Sequence, residues 1–148
     1  MTNRHDKTCS RRAALQVLYS AEITDRKVED ILAEGICVFE SEEQDGVAPD
    51  KYAITLCQGV QDHQEEIDAL IDSSSDNWAV SRMPVMDRAI LRLAVFEMLY
   101  VGKVSVSVFI NEAVDLAKEF GGEDESHRFV NGVLGQVAKN LEAKDEEA

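Results

Sequence analysis

The stretch PVMDRAILRLAVFEMLYV, residues 84–101, decides the fold class of this chain. Ile90, Leu91, Leu93, Ala94, Val95, Phe96, Met98 and Leu99 put apolar side chains on nearly every side of a helix, the pattern of a helix surrounded by others. Asp87, Arg88, Arg92 and Glu97 interrupt the run and would be costly in lipid, so it reads as a core helix and not a membrane span. Pro84 suits the first position of that helix, where its missing N–H would have no partner anyway.

Upstream, Asp72-Ser-Ser-Ser-Asp76-Asn77 competes with helical backbone bonds and favours turns, with Trp78 on a short turn behind it. It divides the chain into helical halves at about 10–72 and 76–141. Leu15, Leu18, Tyr19 and Ile23 mark a first helix from about Ser10, which is a candidate N-cap. Val28, Ile31, Leu32, Ile36 and Phe39 mark a second. After an acidic loop, Tyr52, Leu56, Val60, Ile67, Leu70 and Ile71 mark a long third helix whose central residues are mostly polar.

Downstream, Val104-Ser-Val-Ser-Val108 alternates like a strand but has no second strand to pair with, so it reads as the lead-in to a helix. Ile110, Ala113, Val114 and Ala117 form the stripe of that helix, which ends at Phe120 before Gly121-Gly122. A last helix from about Ser126 to Leu141 buries Phe129, Val130, Val133, Leu134, Val137 and Leu141. Gly132 and Gly135 each cost it about 1 kcal/mol relative to Ala, which predicts a second helix packed closely against them. The class is all-α, and residues 142–148 are expected to form a flexible acidic tail.

Composition narrows the function classes. At 45% hydrophobic over 148 residues the chain can bury a core without staples. The opening MTNRHDKTCSRR has no apolar stretch behind it, which predicts neither signal peptide nor membrane anchor. Cys9, Cys37 and Cys57 are odd in number and widely spaced, the usage of a reducing, cytoplasmic compartment. The balance of 15 basic to 29 acidic residues, a net of −14, repels phosphates overall, so any anion site must be local.

No phosphate-cradling Gly-rich loop, H-E-x-x-H or G-x-S-x-G elbow is present, and His5, His63 and His127 lack metal-ligand neighbours at helical spacing. The chain is expected to be no enzyme and to need no metal or cofactor; Cys37 and Cys57 read as core filler. Arg4, Lys7, Arg11 and Arg12 gather at the N-terminus, where Arg11 and Arg12 would oppose the macrodipole of a helix starting at Ser10. They either bind phosphate there or solvate a helix end. Ser126-His127-Arg128 makes a second such corner, followed by Phe129, which either stacks a base or joins the core. Asn111, Glu112 and Asn131 read as interhelical hydrogen-bonding residues.

Four segments stand in order: Arg11-x-Ala-x-Leu-Gln16-x-Leu-Tyr19, Asp87-Arg-Ala-Ile-Leu-Arg-Leu-Ala94, Ile110-Asn-Glu-Ala-Val-Asp-Leu-Ala-Lys118 and Phe129-Val-Asn-Gly-Val-Leu134. Together, over residues 10–138, they resemble the NusB family of transcription antitermination factors. The resemblance implies a single domain of two packed three-helix bundles. It also implies binding of boxA leader RNA together with NusE, a small-subunit ribosomal protein, on the elongating RNA polymerase complex at ribosomal RNA operons, with no covalent chemistry. Its RNA surface would comprise Arg4, Lys7, Arg11, Arg12, Gln16 and Tyr19 with Arg128 and Phe129, and its NusE surface the start of the central helix, including Asp87. Lys7-Thr8-Cys9-Ser10 stands where members often carry several arginines, which implies a weaker RNA grip. The rival reading is an acidic helical protein–protein adaptor with weak or partner-dependent RNA binding. Monomer and homodimer both stay open.

Overall fold

The computed structural model describes the backbone of residues 4–34, 49–75, 79–121 and 125–147, and the side chains of all of these except 4–6 and 144–147. Among the described residues lie seven α-helices: α1 (Arg4–Ile23), α2 (Val28–Ala33), α3 (Lys51–Asp62), α4 (Gln64–Ser74), α5 (Val85–Phe96), α6 (Val106–Phe120) and α7 (Ser126–Glu147). A 3-10 turn at Val80–Arg82 precedes α5, a π-helical turn at Glu97–Val101 continues it, and no described residue is in a strand. The fold is all-α. Cys37, Ile36, Phe39, Asn77, Trp78 and Gly122 lie outside the described residues.

The chain forms two compact units, Met1–Asp62 and His63–Ala148. In the first, α1 packs on both α2 and α3, and Leu15, Val17, Val28, Ile31, Leu56 and Val60 are buried. Gln61 ties α3 to the start of α2: its Oε1 accepts the Val28 N–H at 2.7 Å, while its amide donates to the Glu29 carboxylate at 2.9 Å. Gln58 donates to the same carboxylate at 2.8 Å. The Gln61 oxygen thereby satisfies a helix-end N–H group that would otherwise have no partner.

In the second unit α5 is the central helix the sequence predicts, packed on α4, α6 and α7, with Ile90, Leu91, Leu93, Val95 and Phe96 all buried. Pro84 stands at its N-cap. Arg92 grips Asp68 of α4 with two hydrogen bonds, 2.8 and 2.9 Å, the forked geometry that a guanidinium and a carboxylate share. Asn140 of α7 donates to the Ser74 hydroxyl at 2.9 Å. Gly102 ends the π turn at φ 57, a left-handed backbone that glycine adopts without a Cβ clash. Of the alternating Val104–Val108 segment only Val104 and Ser105 lead into α6; Val106, Ser107 and Val108 form its first turn. Ser105 N-caps α6, its hydroxyl accepting from the Ser107 N–H at 3.4 Å.

Several expectations are corrected. The long third helix is two, broken between Asp62 and His63, and α4 belongs with α5 and α7 instead of closing the first half. The units therefore part before the serine run, and among the described residues the first holds α1 to α3 and the second α4 to α7. The polar centre of the predicted helix is where the chain turns: residues 61–64 are all polar, so no burial holds the turn helical. Residues 142–147 continue α7 as helix, consistent with their good helix-forming Glu, Ala and Lys. Among the described residues nothing stands within 4 Å of where a Cβ would be on Gly132 or Gly135, so no described helix packs closely on them.

Candidate nucleic-acid interface

The first basic corner rests on α1. That helix begins at Arg4, two turns before the expected start, because residues 4–10 contain no Gly or Pro to stop it. Ser10 is therefore not an N-cap. It is buried, and its hydroxyl donates to Asp50 Oδ2 at 2.6 Å, while Asp50 Oδ1 accepts the Ala53 N–H at 2.9 Å and so caps α3. Arg11 and Arg12 consequently lie inside α1, away from the free N–H groups and the positive end of the macrodipole. The conflict that made them suspicious is absent.

Burial separates these residues further. Arg11 is only 4% exposed, so its guanidinium serves the interior of the protein. Lys7 is half-buried, with Nζ 5.3 Å from the centre of the Tyr52 ring, a cation–π contact between α1 and α3. Arg12, Gln16 and Tyr19 recur at helical spacing and are each half-buried, so they share one face of α1. Gln16 Oε1 is buried with no hydrogen-bond partner among the described residues, a state that costs about 1–3 kcal/mol unless a donor arrives. Arg4 is the first residue of α1, and its side chain is outside the described set.

The second corner is the first turn of α7. Ser126 is its first residue and is buried; Arg128, two positions on, faces outward with a side chain 77% exposed. Arg128 Nε donates to Glu125 at 3.1 Å, an exposed pair that water screens and that holds the guanidinium weakly. Phe129 is half-buried beside it, so one ring serves the core while part of it stays accessible. His127 is half-buried as well.

Asp87, expected on a partner surface, is instead 3% exposed, and its carboxyl accepts the Ser126 hydroxyl at 3.1 Å. It cannot offer a partner much surface. Of the three residues expected to hydrogen-bond between helices, Glu112 is buried, but Asn111 and Asn131 are exposed. Asn131 stands one helical turn from Arg128 on the outward side of α7, a placement the adjacent apolar stripe concealed.

The sequence also missed a ring cluster in the second unit. The His63 ring stacks on Tyr100 at 4.3 Å and lies 6.3 Å from Phe96, while the Tyr100 hydroxyl donates to Glu66 at 2.6 Å. That bond to a carboxylate pushes the phenol pKa up. His63 and Tyr100 are far apart in sequence, so no spacing could have paired them. Cys57 is fully buried, and burial raises its thiol pKa to about 11, which makes it an inert core residue. Among the described residues no group of three His, Cys, Asp or Glu side chains could hold a metal ion, and no helix is long and apolar enough to cross a membrane.

Comparison with known proteins agrees with this arrangement of helices and segments. The sequence profile of the NusB family matches residues 8–139. The chain belongs to the NusB family. The transcription antitermination protein NusB of Myxococcus xanthus is 44% identical over 133 residues, covering 88% of this chain and 93% of its own. Its counterpart in Chloroflexus aggregans is 39% identical over 138 residues, 92% of this chain and 89% of its own. Among solved structures, T. maritima NusB superposes with a TM-score of 0.76 at 32% identity, over 94% of this chain and 93% of that one. A crystal structure of the antitermination factors NusB and NusE in complex with dsRNA matches with a TM-score of 0.76 at 26% identity, over 93% of this chain and 99% of that one.

Proposed function

We propose that this NusB-family protein is a transcription antitermination factor that binds boxA leader RNA together with NusE and joins the elongating RNA polymerase complex at ribosomal RNA operons. The observation that carries this reading is the α7 corner: an outward arginine, Arg128, beside an accessible aromatic ring, Phe129. A cation meets a phosphate while a ring meets a base, which is how single-stranded nucleic acid is held without base-specific hydrogen bonds. Support comes from the family relatives named as antitermination proteins and from the structural neighbour that assembles with NusE and RNA. In the first unit the residues proposed to meet RNA are Arg12, Gln16 and Tyr19 of α1, with Lys7 and Arg4 of its first turns, while Arg11 is buried. The start of α5 forms the NusE surface with Asp87 as an internal brace. The protein works by binding in the cytoplasm, not by catalysis.

With a net charge of −14 and the cations of its basic corners partly buried, the isolated chain binds RNA weakly, and a basic ribosomal protein supplies the missing positive potential. Titrating labelled boxA RNA with the protein alone and with NusE tests this. The expected result is weak binding alone and much tighter binding with NusE. Equal affinity in both would overturn the partner's electrostatic role, and no binding in either would leave the protein–protein adaptor reading in front.

A further inference from the structure

We infer that Ser126 is the positioning residue of the α7 corner, held from two sides so that Arg128 and Phe129 face RNA in a fixed attitude. The inference rests on the RNA reading given above and names the device inside the fold that makes that surface rigid. One side of the hold is polar. The Ser126 hydroxyl donates to Asp87 Oδ2 at 3.1 Å, joining the first turn of α7 to the first turn of α5, and both residues are only 3% exposed.

The other side is steric. At the end of α6, a Cβ built on Gly121 would stand 2.5 Å from the Ser126 Cβ, 2.9 Å from its Oγ and 2.4 Å from the Ala117 carbonyl oxygen. Only a glycine lets α6 end this close to Ser126. The Gly121 N–H meanwhile bonds the Ala117 carbonyl at 2.8 Å, so the glycine itself is fixed to the last turn of α6.

Ser126 and Arg128 are two residues apart, about 200° around the helix. Fixing the first on the inner side therefore sets the direction of the second on the outer side. Among the described residues Arg128 pairs with Glu125, an exposed contact, so the rotation and tilt of the first turn decide where its guanidinium points. Misplacing a positioned group by about an ångström is enough to lose much of a binding contact. A buried hydroxyl–carboxyl bond with no solvent access is suited to that task because water cannot compete for it.

The test uses the full chain with NusE and fluorescein-labelled boxA RNA, read by anisotropy over a series of KCl concentrations, with circular dichroism to follow the helices. Ser126→Ala is expected to loosen RNA about fivefold, the scale of one lost buried hydrogen bond. Its salt slope is expected to shrink toward that of Arg128→Gln, because a misdirected Arg128 loses its phosphate contact. Asp87→Asn keeps an acceptor oxygen for the serine and is expected to bind much closer to the unsubstituted protein than Asp87→Ala does. The double variant Ser126→Ala/Asp87→Ala is expected to lose no more than the worse single one. Arg128→Gln serves as the reference, loosening RNA and reducing the magnitude of the slope by about 0.7. Should Ser126→Ala lose its helices, Ser126→Cys, which is close in size but donates weakly, carries the same comparison with the same expected loss and the same reduced slope. Unaltered affinity in the Ser126 variants beside a weakened Arg128→Gln would overturn the positioning role and spare the RNA reading. A loss of affinity in Ser126→Ala with the full salt slope retained, or losses that add in the double variant, would overturn it too. An Arg128→Gln protein that binds RNA normally would remove the RNA reading of the corner and the inference with it.

Discussion

Arg11 and Arg128 are the same residue type and carry the same expected role, yet α1 buries the first to 4% exposure while the side chain of the second is 77% exposed. On α1 the polar residues beside the apolar stripe were drawn inward: Ser10 onto Asp50, Lys7 onto Tyr52. On α7 the buried hydroxyl of Ser126 does the structural work, which leaves Arg128 at the surface. A basic cluster in sequence is thus a list of cations, and burial decides which of them can meet a phosphate.

The largest expected difference between the corners is in stability. Arg11→Ala removes a buried cation and is expected to cost about 3 kcal/mol in urea unfolding, whereas Arg128→Ala should stay within about 0.5 kcal/mol. Equal costs would break the contrast. Phe129→Ala comes next: its half-buried ring is expected to cost about 2 kcal/mol of stability, less than a fully buried ring, and to weaken RNA binding as well. A loss of stability alone would assign the ring wholly to the core. Ser10→Ala is expected to cost about 1 kcal/mol by removing the hydroxyl that joins α1 to Asp50, with RNA binding unchanged.

The smallest effect is a pH dependence confined to the first unit. Hydrogen bonds from Gln61 and then Gln58 hold the Glu29 carboxyl down from its usual 4.5 to about 2. Its ionised form is therefore the one the fold favours, so its contribution is complete above about pH 4.5 and is lost as the pH falls through about 2. Glu29 is exposed, which keeps the effect small. Urea midpoints between pH 5 and pH 2.5 should fall less steeply in Glu29→Gln than in the unsubstituted protein; identical curves would show that the two glutamines do not bias this carboxylate.

Much of the fold was legible. Residues 84–101 announced a central helix because apolar side chains on all sides leave a helix no solvent face, and Gly121 stands where the α6 stripe ends. The break at Asp62–His63 was not legible. Val60, Ile67 and Ile71 keep helical spacing straight across it, and spacing reports which side of a helix is buried, not what buries it. Gly132 and Gly135 misled for a related reason: composition shows that a helix tolerates glycine but not whether a neighbour is there.

The amino-acid sequence by itself determined the helical class, the central position of α5, the reduced character of a buried Cys57, the overall negative field and the order of four family segments. Each follows from local spacing or from a sum over residues, and neither needs to know which elements meet. Only the tertiary structure decided that Ser10 braces α3, that Arg11 is buried, that His63 stacks on Tyr100 and that Ser126 bonds Asp87. Each of those depends on helices distant in the chain arriving side by side, and a residue's accessibility is set by the neighbours that packing brings to it.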